Sequence, residues 1–62
     1  MENIIVEINE KANIEVINFN GIAWIRWHLP DFSDNGNIDL PNGKYDIKER
    51  KGNKVIIKRV KD

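Results

Sequence analysis

Side chains with oxygen atoms recur between residues 31 and 42 at the spacing of a calcium-binding loop. Positions one, three, five and nine of that pattern are occupied by Asp31, Ser33, Asn35 and Asp39. Gly36 stands at position six, where the loop bends sharply, but Asn42 replaces the bidentate glutamate of position twelve. With only two charged ligands, such a loop would bind calcium in the roughly millimolar range. The same residues suit a turn whose side chains hydrogen-bond their own backbone, and we prefer that interpretation.

Residue types that support hydrolysis also occur close together, but their arrangement does not favour catalysis. His28 is the only histidine, and Asp31 and Ser33 follow it closely, so three residue types of a hydrolytic triad share one short segment. A triad requires in-line geometry that residues crowded at a strand end do not readily adopt. The chain has no cysteine and no pair of histidines, which excludes thiolate chemistry and the common zinc sites. We therefore expect no catalytic residue, no cofactor and no enzymatic activity.

Basic side chains concentrate toward the C-terminal end of the chain. Seven acidic residues stand against two basic ones from Met1 to Gly43, and eight basic residues against three acidic ones from Lys44 to Asp62. The side chains that could follow a phosphate backbone are Lys48, Arg50, Lys51, Lys54, Lys58 and Arg59. Acidic residues interrupt this run, and the isoelectric point of about 6.6 lies below the basic range typical of nucleic-acid-binding domains. Nucleic-acid binding is therefore an alternative function rather than the first choice.

The elements that must position these residues are marked by glycine. Each of the four glycines stands beside an asparagine, and both residue types accept a positive φ at low steric cost. The pairs are Asn20-Gly21, Asn35-Gly36, Asn42-Gly43 and Gly52-Asn53. Between them the apolar residues alternate with polar ones, which is typical of β-strands. The predicted strands are residues 3–8, 13–19, 22–29, 44–50 and 54–60.

The Asn20-Gly21 pair predicts a type I′ turn and with it the register of a central hairpin. The expected partners are Phe19 and Ile22, Ile17 and Trp24, Glu15 and Arg26, Val16 and Ile25, and Ile14 and Trp27. A three-residue loop around Gly52 would in the same way oppose Asp46 with Lys58. Ile38 and Leu40 indicate one further short strand within the polar connector of residues 31–42.

These elements predict one small all-β domain over residues 1–62. Five short antiparallel strands in a meander would form a strongly bent sheet or a partly closed barrel of SH3-like or OB-like architecture. The resemblance is one of architecture alone, because no sequence motif of either family is present. Strand order and barrel closure are not fixed by the local pattern.

The predicted central hairpin is apolar on both faces, so each face needs a cover. One face contains Trp27 with Ile14 and Ile25 and should belong to the core. The other face contains Ile17, Phe19, Ile22 and Trp24, with Arg26 toward one end. Either the C-terminal hairpin covers this face or it stays exposed as a binding surface.

An interaction function follows from that second face. We expect a non-enzymatic accessory protein that binds a protein partner, or a second copy as a homodimer, through the apolar surface, because a 62-residue chain has little core of its own. Nucleic acid is the first alternative partner and calcium the second. The absence of cysteine and of any apolar run long enough to cross a bilayer predicts a cytoplasmic protein without membrane contact.

Overall fold

A computed structural model describes residues 3–60, which contain six β-strands and no helix. The strands are β1 (Asn3–Glu7), β2 (Asn13–Phe19), β3 (Ile22–His28), β4 (Asn35–Asp39), β5 (Lys44–Lys51) and β6 (Lys54–Val60). They form two antiparallel three-stranded sheets, which we call the terminal sheet (β1-β6-β5) and the central sheet (β2-β3-β4). Over this described range there is accordingly no helix with the length and apolar character that a membrane crossing requires. The ends of the predicted domain, residues 1–2 and 61–62, lie outside the described residues.

The all-β prediction is confirmed, but the five-stranded meander and the partly closed barrel are wrong. The sixth strand is β4, which pairs with β3 in the connector where Ile38 and Leu40 indicated a further short strand; it includes Ile38 but ends before Leu40. Its sequence of asparagine and glycine has a low intrinsic strand propensity, so its strand conformation depends on the partner strand. The meander fails at β1, which pairs with the last strand, β6, and not with β2. The chain thus forms two small open sheets in place of one curved sheet.

The register predicted for the central hairpin is confirmed at every position. β2 pairs with β3 from Asn13 opposite His28 to Phe19 opposite Ile22. The connecting residues Asn20 and Gly21 have φ values of 50° and 81°, as a type I′ turn requires. This tight turn fixes which residues share each face of the central sheet.

Both sheets contribute one face to a common hydrophobic core. Its buried members are Ile8, Ala12, Ala23, Ile25, Leu40, Tyr45, Val55 and Ile57. Trp27 and Ile14 are partly buried and pack against this cluster, which confirms the predicted placement of Trp27. Because Ala23 and Ile25 share the core with Val55 and Ile57, the β5–β6 hairpin covers the inner face of the central sheet.

A side chain joins the two sheets where their edges meet. The Asn18 amide on β2 donates from Nδ2 to the Tyr45 carbonyl oxygen (3.0 Å), and its Oδ1 accepts from the Tyr45 backbone N–H (2.9 Å). Asn18 therefore makes a strand-like pair of hydrogen bonds with β5 across the gap between the sheets.

A β-bulge in β5 changes which side chains face the core. Asp46 lies opposite Lys58 as predicted, but the register then shifts between Ile47 and Glu49. The predicted three-residue loop is wrong, because β5 continues to Lys51 and leaves only two residues in the turn. The extra residue turns Glu49 to the outer face and brings Arg50 opposite Val55 on the inner face.

Candidate functional site

The outer face of the β2–β3 hairpin carries a contiguous apolar surface, the aromatic face, which consists of Ile17, Phe19, Ile22 and Trp24. Phe19 and Ile22 are cross-strand partners that remain 63% and 54% exposed. Ile17 and Trp24 are also cross-strand partners, two positions further from the turn, and are half-buried. The C-terminal hairpin lies on the opposite side of this sheet, so it does not cover the aromatic face.

Charged side chains border the aromatic face. Arg26, which was predicted as part of the surface, donates from Nη2 and Nε to Glu15 Oε1 at 2.7 and 3.1 Å. Both side chains are more than half exposed, so this ion pair adds little stability but neutralises Arg26 within the chain. Asp39 on β4 lies opposite Trp24 at the other border.

Phe32 is an exposed aromatic residue that is not among the predicted site residues. It has a φ of 60°, unusual for a residue with a side chain, and is 69% exposed. Its ring stacks on His28, with centroids 4.4 Å apart and an interplanar angle of 8°. The two rings border a shallow cleft of about 320 Å³ that also includes Asn35 and Asn37. A lone phenylalanine in a polar connector was the sequence signal that could have pointed to it.

The triad residue types do not converge. Ser33 donates from Oγ (2.8 Å) and from its backbone N–H (3.0 Å) to Asp31 Oδ1. The side-chain bond from Ser33, followed by the backbone bond, holds the pKa of the Asp31 carboxyl below its ordinary value. His28 instead contacts Phe32 and places Nδ1 3.0 Å from the Leu29 carbonyl oxygen. Asp31 and Ser33 thus make a local turn that does not include the histidine.

The residues of the calcium-loop pattern do not converge on one point in space. Asp31 and Ser33 lie in the turn, whereas Asn35 and Asp39 are the first and last residues of β4. A strand of this length separates its ends by about 13 Å at the backbone, too far for both to ligate one ion in this conformation. Gly36 does not have the positive φ of a loop bend and lies opposite Trp27. Within residues 3–60 no group of three or more His, Cys, Asp or Glu side chains has an arrangement suited to a metal.

The candidate nucleic-acid residues divide between the two faces of the terminal sheet. Arg50 faces inward, where Nη1 donates to the Ala12 carbonyl (2.6 Å) and Nη2 to the Asn9 carbonyl (2.8 Å). Arg59 also faces inward and donates from Nη2 to the Tyr45 hydroxyl at 2.9 Å.

The remaining candidates are lysines. Lys51, Lys54 and Lys58 lie on the outer face, and Lys48 lies in the bulge itself. Lys51 Nζ is 3.5 Å from Glu49 Oε2, and Lys58 lies opposite Asp46. No uninterrupted basic row results among the described strands.

The fold and this geometry define a small two-sheet β-protein with an exposed apolar surface on one sheet. No protein-family model, no curated protein and no solved structure matches the chain. Its function therefore has to be inferred from the contacts, exposure and charges of its own residues.

Proposed function

We propose that the protein is a non-enzymatic binding module that docks a partner protein on the aromatic face. The observation that carries this proposal is the Phe19–Ile22 pair, two large apolar side chains that face each other across the hairpin and remain more than half exposed. In a chain with so small a core, leaving a phenylalanine and an isoleucine in water forgoes burial that would stabilise the fold. A surface cluster of this kind is typical of a protein-binding site.

The hairpin is also suited to binding because its geometry is set before any partner arrives. The type I′ turn and the full β2–β3 ladder hold the face rigid, so little conformational entropy is lost when it docks. Trp24 lies half-buried beside the exposed pair, and tryptophan is the residue type most enriched among interface residues with large energetic contributions. Trp24 is therefore the expected centre of the contact, with Phe19 and Ile22 around it.

Charge argues for a basic protein partner rather than a second copy on this face. The central sheet and the connector between β3 and β4 carry four acidic side chains, Glu15, Asp31, Asp34 and Asp39, against one basic side chain, Arg26. Two copies meeting face to face would bring these acidic borders together, which is unfavourable. The partner that fits best presents an apolar patch flanked by lysine or arginine.

Seven basic side chains against three acidic ones on the strands of the terminal sheet favour nucleic-acid binding as a second candidate function. It uses the opposite side of the molecule from the aromatic face, so variants separate the two candidates.

The proposal is tested by photocrosslinking from the face. A photoreactive benzoylphenylalanine at position 19 should crosslink a protein partner in cells, which is then purified for calorimetric titration. We expect Trp24→Ala and Phe19→Ala to weaken that binding by about 2 kcal/mol or more, roughly 30-fold, as for other central aromatic contacts. Circular dichroism checks that each variant folds.

The matched control is Phe32→Ala, which removes an equally exposed phenylalanine beyond the Glu15–Arg26 pair. We expect Phe32→Ala to leave the affinity unchanged. If the purified partner binds folded Trp24→Ala and Phe19→Ala as tightly as the wild type, the aromatic face is not the binding site. An equal loss with all three variants would indicate nonspecific adhesion to exposed rings and would also contradict the proposal.

A further inference from the structure

The two sheets have four edge strands, and the edge at β1 is the most apolar sequence among those that no neighbouring strand covers. The edges of β2 and β5 approach each other at one position, where the Asn18 side chain bonds the Tyr45 backbone and restricts the access of a further strand. The edge at β4 has the sequence Asn-Gly-Asn-Ile-Asp, whose asparagines and glycine have low strand propensity and disfavour the addition of a further strand. The edge at β1 has the sequence Asn-Ile-Ile-Val-Glu and, within the described residues, pairs with β6 alone. It contains no proline, no lysine and no bulge, the devices that usually protect an edge.

The direction of the free hydrogen-bonding groups follows from one contact at the end of β1. Ile8 donates its N–H to the Asn53 carbonyl at 2.8 Å and so continues the β1–β6 ladder. In an antiparallel ladder the groups that point toward the partner alternate along the strand. Val6 and Ile4 therefore also direct their backbone groups to β6. Asn3, Ile5 and Glu7 direct theirs away from it, toward the open side.

We propose that two copies of the chain pair antiparallel along β1, with Ile5 on the two-fold axis. Ile5 then lies opposite Ile5 of the second copy, and Asn3 opposite Glu7 of the second copy. All three outward-directed residues meet outward-directed partners, so each strand's free N–H and C=O groups at these positions are satisfied. The two terminal sheets become one continuous six-stranded sheet.

Side chains on both faces of β1 favour a second copy in this register. On the outer face Ile5 is 63% exposed and lies beside Ile56, so the pairing creates a row of four isoleucines across the axis. On the inner face the half-buried Ile4 would lie opposite Val6 of the second copy, and the half-buried Val6 opposite Ile4 of the second copy.

The charges in this register are compatible as well. No like charges lie opposite each other, and Glu7 of the second copy would have Asn3 on one side and its own Lys54 on the other. An unrelated strand would have to reproduce this pattern, whereas a second copy supplies it by symmetry.

The test is the solution mass measured by sedimentation equilibrium from about 1 µM to about 1 mM, which spans weak to moderate affinities. We expect the wild type to reach twice the protomer mass of 7.2 kDa as the concentration rises. Ile5→Lys and Ile5→Glu should each be monomeric, because they oppose two like charges on the axis. An equimolar mixture of the two variants should recover the dimer, because lysine then lies opposite glutamate. This recovery is specific to a register that places position 5 against itself.

The matched control is Ile22→Lys, which puts the same charge on the aromatic face and should leave the dimer intact. A wild type that stays at 7.2 kDa over the whole range would overturn the proposal. So would a dimer that survives in Ile5→Lys, and so would one lost in Ile22→Lys but kept in Ile5→Lys. The last result would place self-association on the aromatic face and would also contradict the proposed function, so the two failures are distinguishable.

Amide hydrogen exchange gives a second measurement that needs no variant. In the dimer the amides of Ile5 and Glu7 should gain protection as the protein concentration rises, while those of Ile4 and Val6 are protected at all concentrations by β6. Equal exchange of the Ile5 amide at low and high concentration would overturn the proposal.

Discussion

At the scale of single residues, Gly36 determines how closely the edge strand β4 approaches Trp27 at the border of the hydrophobic core. It lies opposite Trp27, and a Cβ atom at this position would be 2.9 Å from both Cζ2 and Nε1 of the indole. The indole is wide and rigid and packs against the buried cluster, so it has little freedom to move aside. The glycine that fitted a calcium-loop bend in the sequence therefore serves in the structure to admit an aromatic ring.

We expect Gly36→Ala to lower the free energy of unfolding by about 1–3 kcal/mol, as overpacking does elsewhere. The sign is informative, because alanine in a strand would otherwise be favoured over glycine by roughly 0.5–1 kcal/mol. Urea denaturation followed by tryptophan emission measures the change. Asn37→Ala, on the outer face of the same strand, is the control and should stay within about 0.5 kcal/mol of the wild type. A neutral or stabilising Gly36→Ala would show that Trp27 does not pack over this position.

Residue-level inference from the sequence was reliable where alternation alone decided the outcome. Trp24 and Trp27 are separated by an odd number of positions, so they had to lie on opposite faces of β3, and they do. It failed where the outcome depended on tertiary contacts. Arg50 was predicted to contact a phosphate backbone, but its guanidinium binds the carbonyls of Ala12 and Asn9. No local pattern could show that the β1–β2 loop would lie within its reach.

At the scale of elements, the joint between the sheets depends on Asn18. Its amide is a donor and an acceptor in one planar group, which matches the C=O and N–H of Tyr45. The Gly43 N–H, just before β5, also donates to the Gly21 carbonyl in the β2–β3 turn (2.8 Å), and the inner faces of the sheets interact through apolar side chains. The asparagine therefore supplies positional specificity between two sheets that meet through few polar contacts.

Replacing this side chain should destabilise the contact between the two sheets to a degree that depends on which of its two hydrogen bonds is lost. We expect Asn18→Ala to cost about 1–3 kcal/mol, because both hydrogen bonds are lost. Asn18→Asp keeps an acceptor for the Tyr45 N–H but places a carboxylate against the Tyr45 carbonyl. The amide of Tyr45 should thus exchange faster than its neighbours in Asn18→Ala and remain protected in Asn18→Asp.

The control for this pair is Asn13→Ala, at the exposed end of the same strand, which should change neither stability nor exchange. Nuclear magnetic resonance exchange rates and denaturation midpoints together measure the effect. Unchanged protection of the Tyr45 amide in Asn18→Ala would contradict the assigned hydrogen bond.

The elements themselves were predictable to the extent that their contacts are local in sequence. The β2–β3 hairpin was predicted with its register because two turn residues determine it. The pairing of β1 with β6 was not, since nothing in either segment encodes contact with the opposite end of the chain. The bulge in β5 was missed because it depends on which of Glu49 and Arg50 can be accommodated against Val55. The exposure of the aromatic face likewise depended on which side of the central sheet the last hairpin covers.

At the scale of the whole molecule, the unequal charge of the two chain halves becomes a difference between the two sheets. The strands of the terminal sheet carry seven basic and three acidic residues, because β5 and β6 both belong to it. Two of the seven, Arg50 and Arg59, donate hydrogen bonds within the fold. The five lysines share the sheet with Glu7, Asp46 and Glu49, so its surface potential is less positive than the count of lysines suggests.

This distribution leads to a prediction for nucleic acid. We expect a fluorescent single-stranded oligonucleotide to bind weakly and only at low salt. Three phosphate contacts would give a slope of about −2 for the logarithm of affinity against the logarithm of salt concentration, and we expect a shallower slope here. Fluorescence anisotropy at several salt concentrations measures the slope.

Two matched variants each remove one positive charge from opposite sheets, Lys54→Gln from the terminal sheet and Arg26→Gln from the central sheet. Weak nonspecific attraction should respond almost equally to both, because it depends on net charge rather than on a built site. Tight binding near physiological salt with a steep slope, lost in Lys54→Gln and retained in Arg26→Gln, would identify the terminal sheet as a nucleic-acid interface. That result would establish the second candidate function. The crosslinking experiment at position 19 would then decide separately whether the aromatic face binds a protein partner.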